Sequence, residues 1–554
     1  MSMAVSHFSF PRRRWLSACL AAALTVSAPL ANADETLLVV PSTLSLLGTT
    51  APWNPAAAER AVSPRSLPRP YVEPNATSAG SPAATRVVTN CNDGGAGSLR
   101  STVAEAISGD TVDLSALTCS TITLTTGAVA INVDTLTITG PGADQLAIDG
   151  NNVDRVFTHN VQGTLTIRDL AMVNGRALVP SVPYLVRGGC IEAAGSLFLE
   201  RTSLSSCSVR SGTDSVQGGC ARANRIDMRH STAHDCRAIS DGTGWADGGA
   251  LFAGAVTLVH SKITGNLASA VNQVAYGGGV VSAGFNPLLG TLDETIIVDS
   301  TVSGNVALGR EYIPYGTSEP IDMSYGGGVH SGGRLTITSS TLADNEAGSG
   351  GGAYLTLNAS TCEAGVSATV VNSTITGNTA SNGGGGMVMR YCVLQLSSST
   401  VAFNHATHGA GGIVPRVFPT YGENAYNPIF TNSIIASNTS TLGSADVDVG
   451  DYAISIGPIA LTGSNNLILA SSITPPTGTL VVDPMLASLS DNGGPTHTHA
   501  LLPGSPAIDA GTNAPATPFD QRGDGFPRVV GTLADLGAFE RQGPSDGIFM
   551  NGFD

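Results

Sequence analysis

Carboxylates, imidazoles and thiols are the groups in this chain that could do chemistry, and their spacing limits what each can do. Cleavage of a polysaccharide needs clustered carboxylates, or carboxylates holding Ca²⁺ beside an Arg or Lys base. No Asp-Asp pair occurs, and the densest acidic group of the central region is Asp293, Glu294 and Asp299, which has no repeat-aligned partner and reads as solvated surface. His497-Thr-His499 has the i, i+2 spacing that can bind a metal from a strand, although polar residues alternating on a strand give the same pattern. His405 and His408 flank a Gly-rich turn and read as loop residues. Arg522-Gly-Asp524 spells a tripeptide read by animal integrins, and its Arg and Gly are already accounted for by the wider phrase Asp520-Gln-Arg-Gly523. The sequence therefore predicts no catalytic residue, no cofactor and no metal site.

The elements that would have to position such groups are legible in a recurring Asn-terminated phrase. It reads Ile263-Thr-Gly-Asn266, Val302-Ser-Gly-Asn305, Leu342-Ala-Asp-Asn345, Ile375-Thr-Gly-Asn378, Val401-Ala-Phe-Asn404 and Ile435-Ala-Ser-Asn438, with 26 to 40 residues between successive Asn. Gly-rich starts such as Gly248-Gly-Ala-Leu251 and Gly327-Gly-Val329 precede the phrases. A unit of that length cannot bury its own apolar face and must stack on copies of itself. Within Gly333 to Asn345, Leu335 and Ile337 alternate with Thr336 and Thr338, the period of a half-buried strand, and a second short strand follows at 340–342. Asn closes the turn, because it tolerates the left-handed conformation and can satisfy nearby backbone groups. Coils stacked ~4.8 Å apart would align these Asn as an internal amide ladder. The same register extends upstream through Cys236 and Cys207 to Asn174, so the turn ladder is Asn174, Cys207, Cys236, Asn266, Asn305, Asn345, Asn378, Asn404 and Asn438. Roughly ten to twelve coils result.

The ends carry other information. Arg12-Arg-Arg14, an apolar run from Trp15 to about Leu30, and Ala31-Asn-Ala33 form a secretory signal peptide, in preference to a lipobox at Leu16-Ser-Ala-Cys19 or a twin-arginine signal. Residues 34–86 are a Pro/Ala/Ser-rich linker. No later apolar stretch reaches the ~18 residues of a membrane span. Loss of the three signal arginines takes the formal charge from −16 to −19, which disfavours nucleic acid and anionic lipid and, less strictly, polyanionic glycans. Of nine Cys, Cys19 leaves with the signal and eight remain for an oxidising compartment. The repeat register sets Cys207 beside Cys236 and Cys190 beside Cys220 on adjacent rungs, within the Cα separation a disulfide accepts. Cys362 and Cys392 also lie about one coil apart, and Cys91 and Cys119 bracket the first segment. The alternative is a stack of free, buried Cys. Near the start, Leu99, Val103, Ala106 and Ile107 have helical spacing. Ser98 is a candidate N-cap and Gly109 a C-terminal stop, so a short helix would cover the first coil's open edge.

Gly-Gly-Ala-Leu followed by hydrophobic-x-x-Asn resembles the repeat pair of polymorphic outer membrane proteins over about residues 160–440. That resemblance implies a right-handed parallel β-helix at a bacterial surface, although the C-terminal β-barrel of that family has no counterpart here. Asp483-Pro-Met-Leu486, Asp491-Asn-Gly-Gly-Pro-Thr-His-Thr-His499, Ser505-Pro-Ala-Ile-Asp-Ala-Gly511, Asp520-Gln-Arg-Gly523 and Asp535-Leu-Gly-Ala-Phe-Glu540 closely resemble the choice-of-anchor Q domain of exported bacterial proteins. In that family the domain precedes varied sorting signals.

The expected fold is all-β: a right-handed parallel β-helix of the pectin-lyase-like solenoid type, with a short N-terminal capping helix and a small C-terminal module. The expected segments are signal peptide 1–33, linker 34–86, β-helix 87–470, choice-of-anchor Q-like module 471–543 and tail 544–554, whose apolar Ile548-Phe-Met550 and Phe553 suggest a sorting signal. The expected function is a non-enzymatic, exported, adhesin-like protein of a Gram-negative surface or medium, binding an extracellular glycan or protein. Sorting machinery is a further candidate partner. The alternative is a polysaccharide lyase or glycosidase with its site in the long inserts at 267–277 or 306–325.

Overall fold

The computed structural model describes residues 83–543, apart from 179–183, 287–290, 314–319, 357–365, 391–392, 417–426, 443–445, 449–458 and 513–516. It is a right-handed parallel β-helix with almost no helical content. One full coil runs through five sheets, here lettered in chain order. Taking the coil that begins at Ser196, sheet A holds Ser196–Glu200, sheet B Ser203–Ser205, sheet C Ser208–Ser211, sheet D Ser215–Gln217 and sheet E Ala221–Arg222. The next coil re-enters sheet A at Arg225–Arg229, paired in parallel and in register with Ser196–Glu200. Sheets A, B, C, D and E contain 13, 12, 9, 5 and 10 strands, so A, B and E run most of the length while D is confined to the middle.

Alternation dictates which way each side chain points. In Arg334–Thr338, Leu335 and Ile337 are buried and Arg334, Thr336 and Thr338 face out. The inward residues of sheets A, B and E form the main core. A second, smaller core of Ala and Val, including Val209, Val216, Ala246 and Ala275, lies between sheets C and D. The first coil is covered by a helix at Leu99–Ala104, whose Ser98 side chain accepts from the Ser101 amide. The helix ends at Glu105, earlier than the Gly109 stop read from the sequence. Leu99 and Val103 bury into the core, which shields the open strand edge.

Two of the corners use a residue with positive φ followed by a group that satisfies backbone the turn would strand. At the A-to-B corner the left-handed residues include Arg201, His230, His260, Asp299, Ser339 and Asn372. A ladder of buried hydroxyls follows them: Ser261 Oγ accepts from the Ser231 amide at 3.3 Å, Ser300 Oγ from Ser261 at 3.0 Å, and Ser340 Oγ from Ser300 at 3.1 Å. Five residues further on, at the B-to-C corner, the Asn ladder takes over. Asn266 Nδ2 donates to Asn305 Oδ1 at 2.8 Å, Asn305 to Asn345 at 2.9 Å, Asn345 to Asn378 at 2.9 Å, Asn378 to Asn404 at 2.8 Å, and Asn404 to Asn438 at 2.8 Å. Asp446 ends the row by accepting from Asn438 Nδ2 at 2.8 Å.

Two corrections to the ladder follow. The left-handed residue is the one before each Asn, such as Gly265, Gly304, Asp344, Phe403 and Ser437, so the Asn serves through its amide and not its backbone. Asn174 pairs with Ser206 in the register fixed by Val173 and Ser205. It is the left-handed residue of its own turn, with φ 52°, and Gly175 takes the ladder place. A Cβ at Gly175 would meet Cys190 Sγ at 2.7 Å, so no amide fits there.

The thiol pairing also differs from the rung-to-rung expectation. Cys91 and Cys119 are bonded, but Cys190 joins Cys207 and Cys220 joins Cys236, each with 5.4 Å between Cα atoms. The bonds cross the interior of a coil instead of linking neighbours. The ladder position at the B-to-C corner faces the start of sheet E, so the coil is pinched between its two cores. Where the ladder residue is Asn305, Asn345 or Asn378, the facing residue is Gly279, Gly328 or Gly352, and a Cβ there would come within about 3.1–3.2 Å of the amide. Replacing Asn by Cys goes with replacing the facing Gly by Cys, and a covalent bond closes the pinch. Cys362 and Cys392 lie outside the described residues.

After the last coil the chain folds back over the outer face of sheet B. Leu501, Ala507, Leu536 and Phe539 pack on Ile434, Ala436 and Leu467. Gln521 is buried, accepting from Thr374 Oγ1 at 2.6 Å and donating to Thr341 Oγ1 at 2.9 Å. Arg522 lies between the rings of Phe526 and Phe539, 4.0 and 3.9 Å from their centroids, with Asp520 on its fork at 2.7 Å. It is therefore part of a core and not a displayed tripeptide.

The ladder predicts the cost of interrupting it. Asn305→Ala removes the acceptor of Asn266 Nδ2 and leaves buried groups unsatisfied, so the variant should lose about 2–4 kcal/mol. Urea unfolding of the two proteins measures the difference, and a loss below about 0.5 kcal/mol would show the ladder is not structural.

Candidate functional site

The corner between sheets D and E differs from the other two. Its left-handed residue is Gly throughout, at Gly188, Gly218, Gly248, Gly277, Gly326 and Gly350. At Gly248 a Cβ would stand 2.3 Å from the Leu251 carbonyl, so the bend is sharper than any side chain permits. The outward residues on either side are thereby folded toward each other, and a groove runs along the axis.

One wall is the last outward residue of each sheet D strand: Arg187, Gln217, Asp247, Tyr276 and Tyr325, in register one per coil. The other is the outward residue of each sheet E strand: Glu192, Arg222, Phe252, Val281, His330 and Tyr354. Side chains of the two walls pack against each other across the bend. The rings of Tyr276 and His330 lie 4.7 Å apart, and those of Tyr325 and Tyr354 4.8 Å. The groove is charged at its N-terminal end and aromatic further on.

Burial moves the titratable groups there. Asp247 is enclosed and its carboxyl is pushed up to about 7 by desolvation, against the bond it accepts from Gln217 Nε2 at 3.1 Å. Arg222 is pulled down to about 10 by burial and by the Arg187 charge, with Glu192 opposing. Burial also lowers Arg187. The phenol of Tyr276 is pushed up to about 12, mainly by burial. His330 is 8 % exposed and falls to about 4 by burial, with Nε2 3.2 Å from Thr356 Oγ1 and no partner for Nδ1 among the described residues. A carboxyl and a guanidinium shifted toward neutrality along the same bend make this bend the candidate site.

Beside the charged end is an open depression of about 390 Å³ that shares Gln217 and includes Tyr184, Leu185, Asp214 and Trp245. Tyr184 is 82 % exposed and Trp245 50 %. Large aromatic surface left in water next to polar groups is the composition of a ligand site.

The residues singled out in the sequence lie elsewhere. His497 faces solvent, whereas His499 is buried with Nε2 2.9 Å from Thr376 Oγ1 and Nδ1 2.7 Å from the Ala487 carbonyl. The two imidazoles thus point to opposite faces. His405 Nδ1 meets Thr439 Oγ1 at 2.9 Å, and His408 Nδ1 meets the Ser381 carbonyl at 2.9 Å. Glu294 accepts from Thr336 at 2.8 Å, while Asp299 lies 3.7 Å from His260 at another corner. Residues 267–277 are no insertion: Leu267–Ala270 and Ala275–Tyr276 are regular strands of sheets C and D. The stretch 306–325 does hold one, an antiparallel pair of Glu311–Tyr312 with Ile321–Asp322. Among the described residues of the two stretches, Tyr276, Gly277 and Tyr325 belong to the D-to-E bend.

The structure is a parallel β-helix with a line of polar and aromatic residues along its D-to-E bend, several of them buried against one another, and an open depression beside Gln217. No family model and no curated protein sequence matches the chain. Among solved structures it is similar to pectate lyase Pel9A, at 14 % identity over 83 % of this chain and 96 % of that one, with a TM-score of 0.34. It is also similar to the A-module of the Azotobacter vinelandii mannuronan C-5 epimerase AlgE6, at 16 % identity over 69 % and 93 %, with a TM-score of 0.32. The functional reading rests on the groove itself.

The Asp247 shift predicts a pH effect of definite sign. A buried carboxyl titrating near 7 when folded and near 4 when unfolded holds its proton only in the folded state between those values. Its contribution to stability is complete below about pH 4 and disappears as pH rises to about 7. Asp247→Asn should abolish that part of the decline, so the difference in unfolding free energy between variant and parent should grow in the variant's favour from pH 4 to 7. A difference that does not change with pH would refute the assignment.

Proposed function

We propose that this protein is an exported, adhesin-like solenoid, displayed at a bacterial surface or released, that binds a glycan in the groove between sheets D and E. The observation that carries the reading is the exposed pair Tyr184 and Trp245 beside the Gln217–Asp247 wall. A pyranose ring offers a face of C–H bonds to an aromatic ring and a rim of hydroxyls to amide, carboxyl and guanidinium groups. A linear glycan lying along the axis would meet a repeated backbone geometry at every coil. Among the described residues no helix is long and apolar enough to cross a membrane.

Disulfides form and persist in oxidising compartments, and three are present, which supports export. The leader-like 1–33 and the linker 34–86 are consistent with it. Surface display is supported by the repeat resemblance to polymorphic outer membrane proteins and by the anchor-like phrases of 471–543. The tail 544–554 is then an address for sorting machinery of a Gram-negative cell. Deleting 546–554 and fractionating the cells tests this part: the truncated protein should lose its normal compartment, and an unchanged distribution would refute it.

A second reading is favoured by Asp247, because a carboxyl near neutrality in a groove can serve as a general acid. That reading is a polysaccharide lyase or glycosidase. One experiment separates the two. Incubated with a panel of polysaccharides, with and without Ca²⁺, the protein should retain one or more of them without generating new reducing ends or unsaturated products. Trp245→Ala should weaken retention about tenfold through the lost stacking surface. Turnover abolished by Asp247→Asn would replace the adhesin reading by the enzymatic one, and retention of no polymer would refute glycan binding.

A further inference from the structure

We infer that the glycan held in this groove is acidic, and that Arg187 and Arg222 grip its anionic substituent. The inference rests on the glycan-binding reading and names the ligand class for that site.

Several arginines elsewhere in this acidic protein have carboxylates of their own, while the buried Arg528 is held by the Asp535 and Gly537 carbonyls. Arg201 is held by Asp169 at 2.6 Å, Arg210 by Asp241 at 2.6 Å and Arg229 by Asp227 at 2.9 Å. Arg187 and Arg222 do not. Among the described residues the Arg187 guanidinium has no hydrogen bond or ion pair, and Arg222 has one weak bond, from Nη1 to the Ala193 carbonyl at 3.3 Å. The Nε atoms of both are buried and unpartnered. The carboxylate that acts on both is Glu192, and it already lies 3.2 Å from Arg155. Arg155 also has Asp154 at 3.5 Å, so three partly or fully buried guanidinium groups stand beside two carboxylates, of which only Glu192 acts on Arg187 and Arg222.

Unpaired buried donors carry a desolvation penalty, and two like charges facing each other add to it. An anion that accepts from both removes both costs. A guanidinium presents a planar fork of donors, matched to two oxygens of one group, so a carboxylate or a sulfate ester suits it. A neutral sugar hydroxyl would leave the charge excess in place. The position fits a polymer, because Arg187 stands on the strand that follows Tyr184 and precedes Gln217 in the same wall. A ring stacked at the aromatic rim would carry its neighbour toward the arginines.

The test measures affinity of the full protein for polygalacturonate, dextran sulfate and neutral dextran by isothermal titration at low and high salt. At least one acidic polymer should bind, at least tenfold more tightly than dextran, with affinity falling as salt rises. Arg187→Gln and Arg222→Gln should each weaken it tenfold or more. Glu192→Gln should strengthen it, because it removes the competing carboxylate, and a misfolded protein cannot produce a gain. Preference for polygalacturonate identifies a carboxylate, and preference for dextran sulfate a sulfate ester. Equal binding of dextran, or arginine variants that bind the acidic polymer unchanged, would overturn the inference and leave the glycan reading intact. Loss of affinity in Glu192→Gln would also overturn it. Binding of no polymer would overturn the glycan reading itself.

Discussion

Everything in this structure depends on satisfying backbone and side-chain polar groups at the corners of a coil. A strand obtains its hydrogen bonds from the coils above and below, and corner amides such as Arg201 N, bonded to the Arg229 carbonyl at 3.0 Å, do so in part, which leaves other corner groups for side chains to satisfy. The chain meets this with a hydroxyl ladder at the A-to-B corner and an amide ladder at the B-to-C corner. An Asn amide does more than a hydroxyl can, because its oxygen accepts while its nitrogen donates to the next rung and to a carbonyl. Asn305 Nδ2 meets both Asn345 Oδ1 at 2.9 Å and the Ile263 carbonyl at 2.9 Å. Each rung therefore completes the one before it, and the row must end on a group that only accepts. Asp446 provides that end, receiving both the Asn438 and the Ala470 amides.

The groove is the consequence of the corner that has no such ladder. Between sheets D and E the bend is made by Gly alone, so the outer angle is occupied by the flanking side chains, which close on one another. Scaffold and site thus divide the coil between them. Inward residues and the two laddered corners hold the stack together, while the D-to-E corner carries a column of outward positions from Arg187 to Tyr325.

The alternation of Leu335 and Ile337 with Thr, and the Asn phrase, made the coils legible in the sequence. The hydroxyl ladder was equally present, since Ser261, Ser300, Ser340, Ser373, Ser399 and Ser433 each precede a ladder Asn by five residues. In a chain this rich in Ser and Thr that spacing does not stand out. The disulfides were misread because adjacency along the stack can be inferred from the register, whereas adjacency across the interior depends on the shape of the coil. Asn174 was misplaced because Asn suits a left-handed backbone and an amide ladder equally, and only strand pairing tells the two apart. The groove residues lie about thirty positions apart, yet they keep constant offsets from the Gly-rich starts. Arg187, Gln217 and Asp247 each stand three residues before Cys190, Cys220 and Ala250, and Glu192, Arg222 and Phe252 two residues after. Once the start of sheet E is fixed, both walls can be read off; without it they are scattered charges.

The net charge of −16 illustrates why scattered charges mislead. A formal total describes the field far from the surface, and at physiological salt that field fades within about 8 Å. A ligand in the groove feels the groups beside it through a medium that screens them far less. There three guanidinium groups, Arg155, Arg187 and Arg222, stand beside two carboxylates, Glu192 and Asp154. An acidic exterior and a cationic cleft are compatible, and together they would favour anions that enter the cleft over those that meet the rest of the surface. Selectivity of that kind comes from where the coil bends, because the same arginines on a flat sheet would be hydrated and paired with the nearest carboxylate.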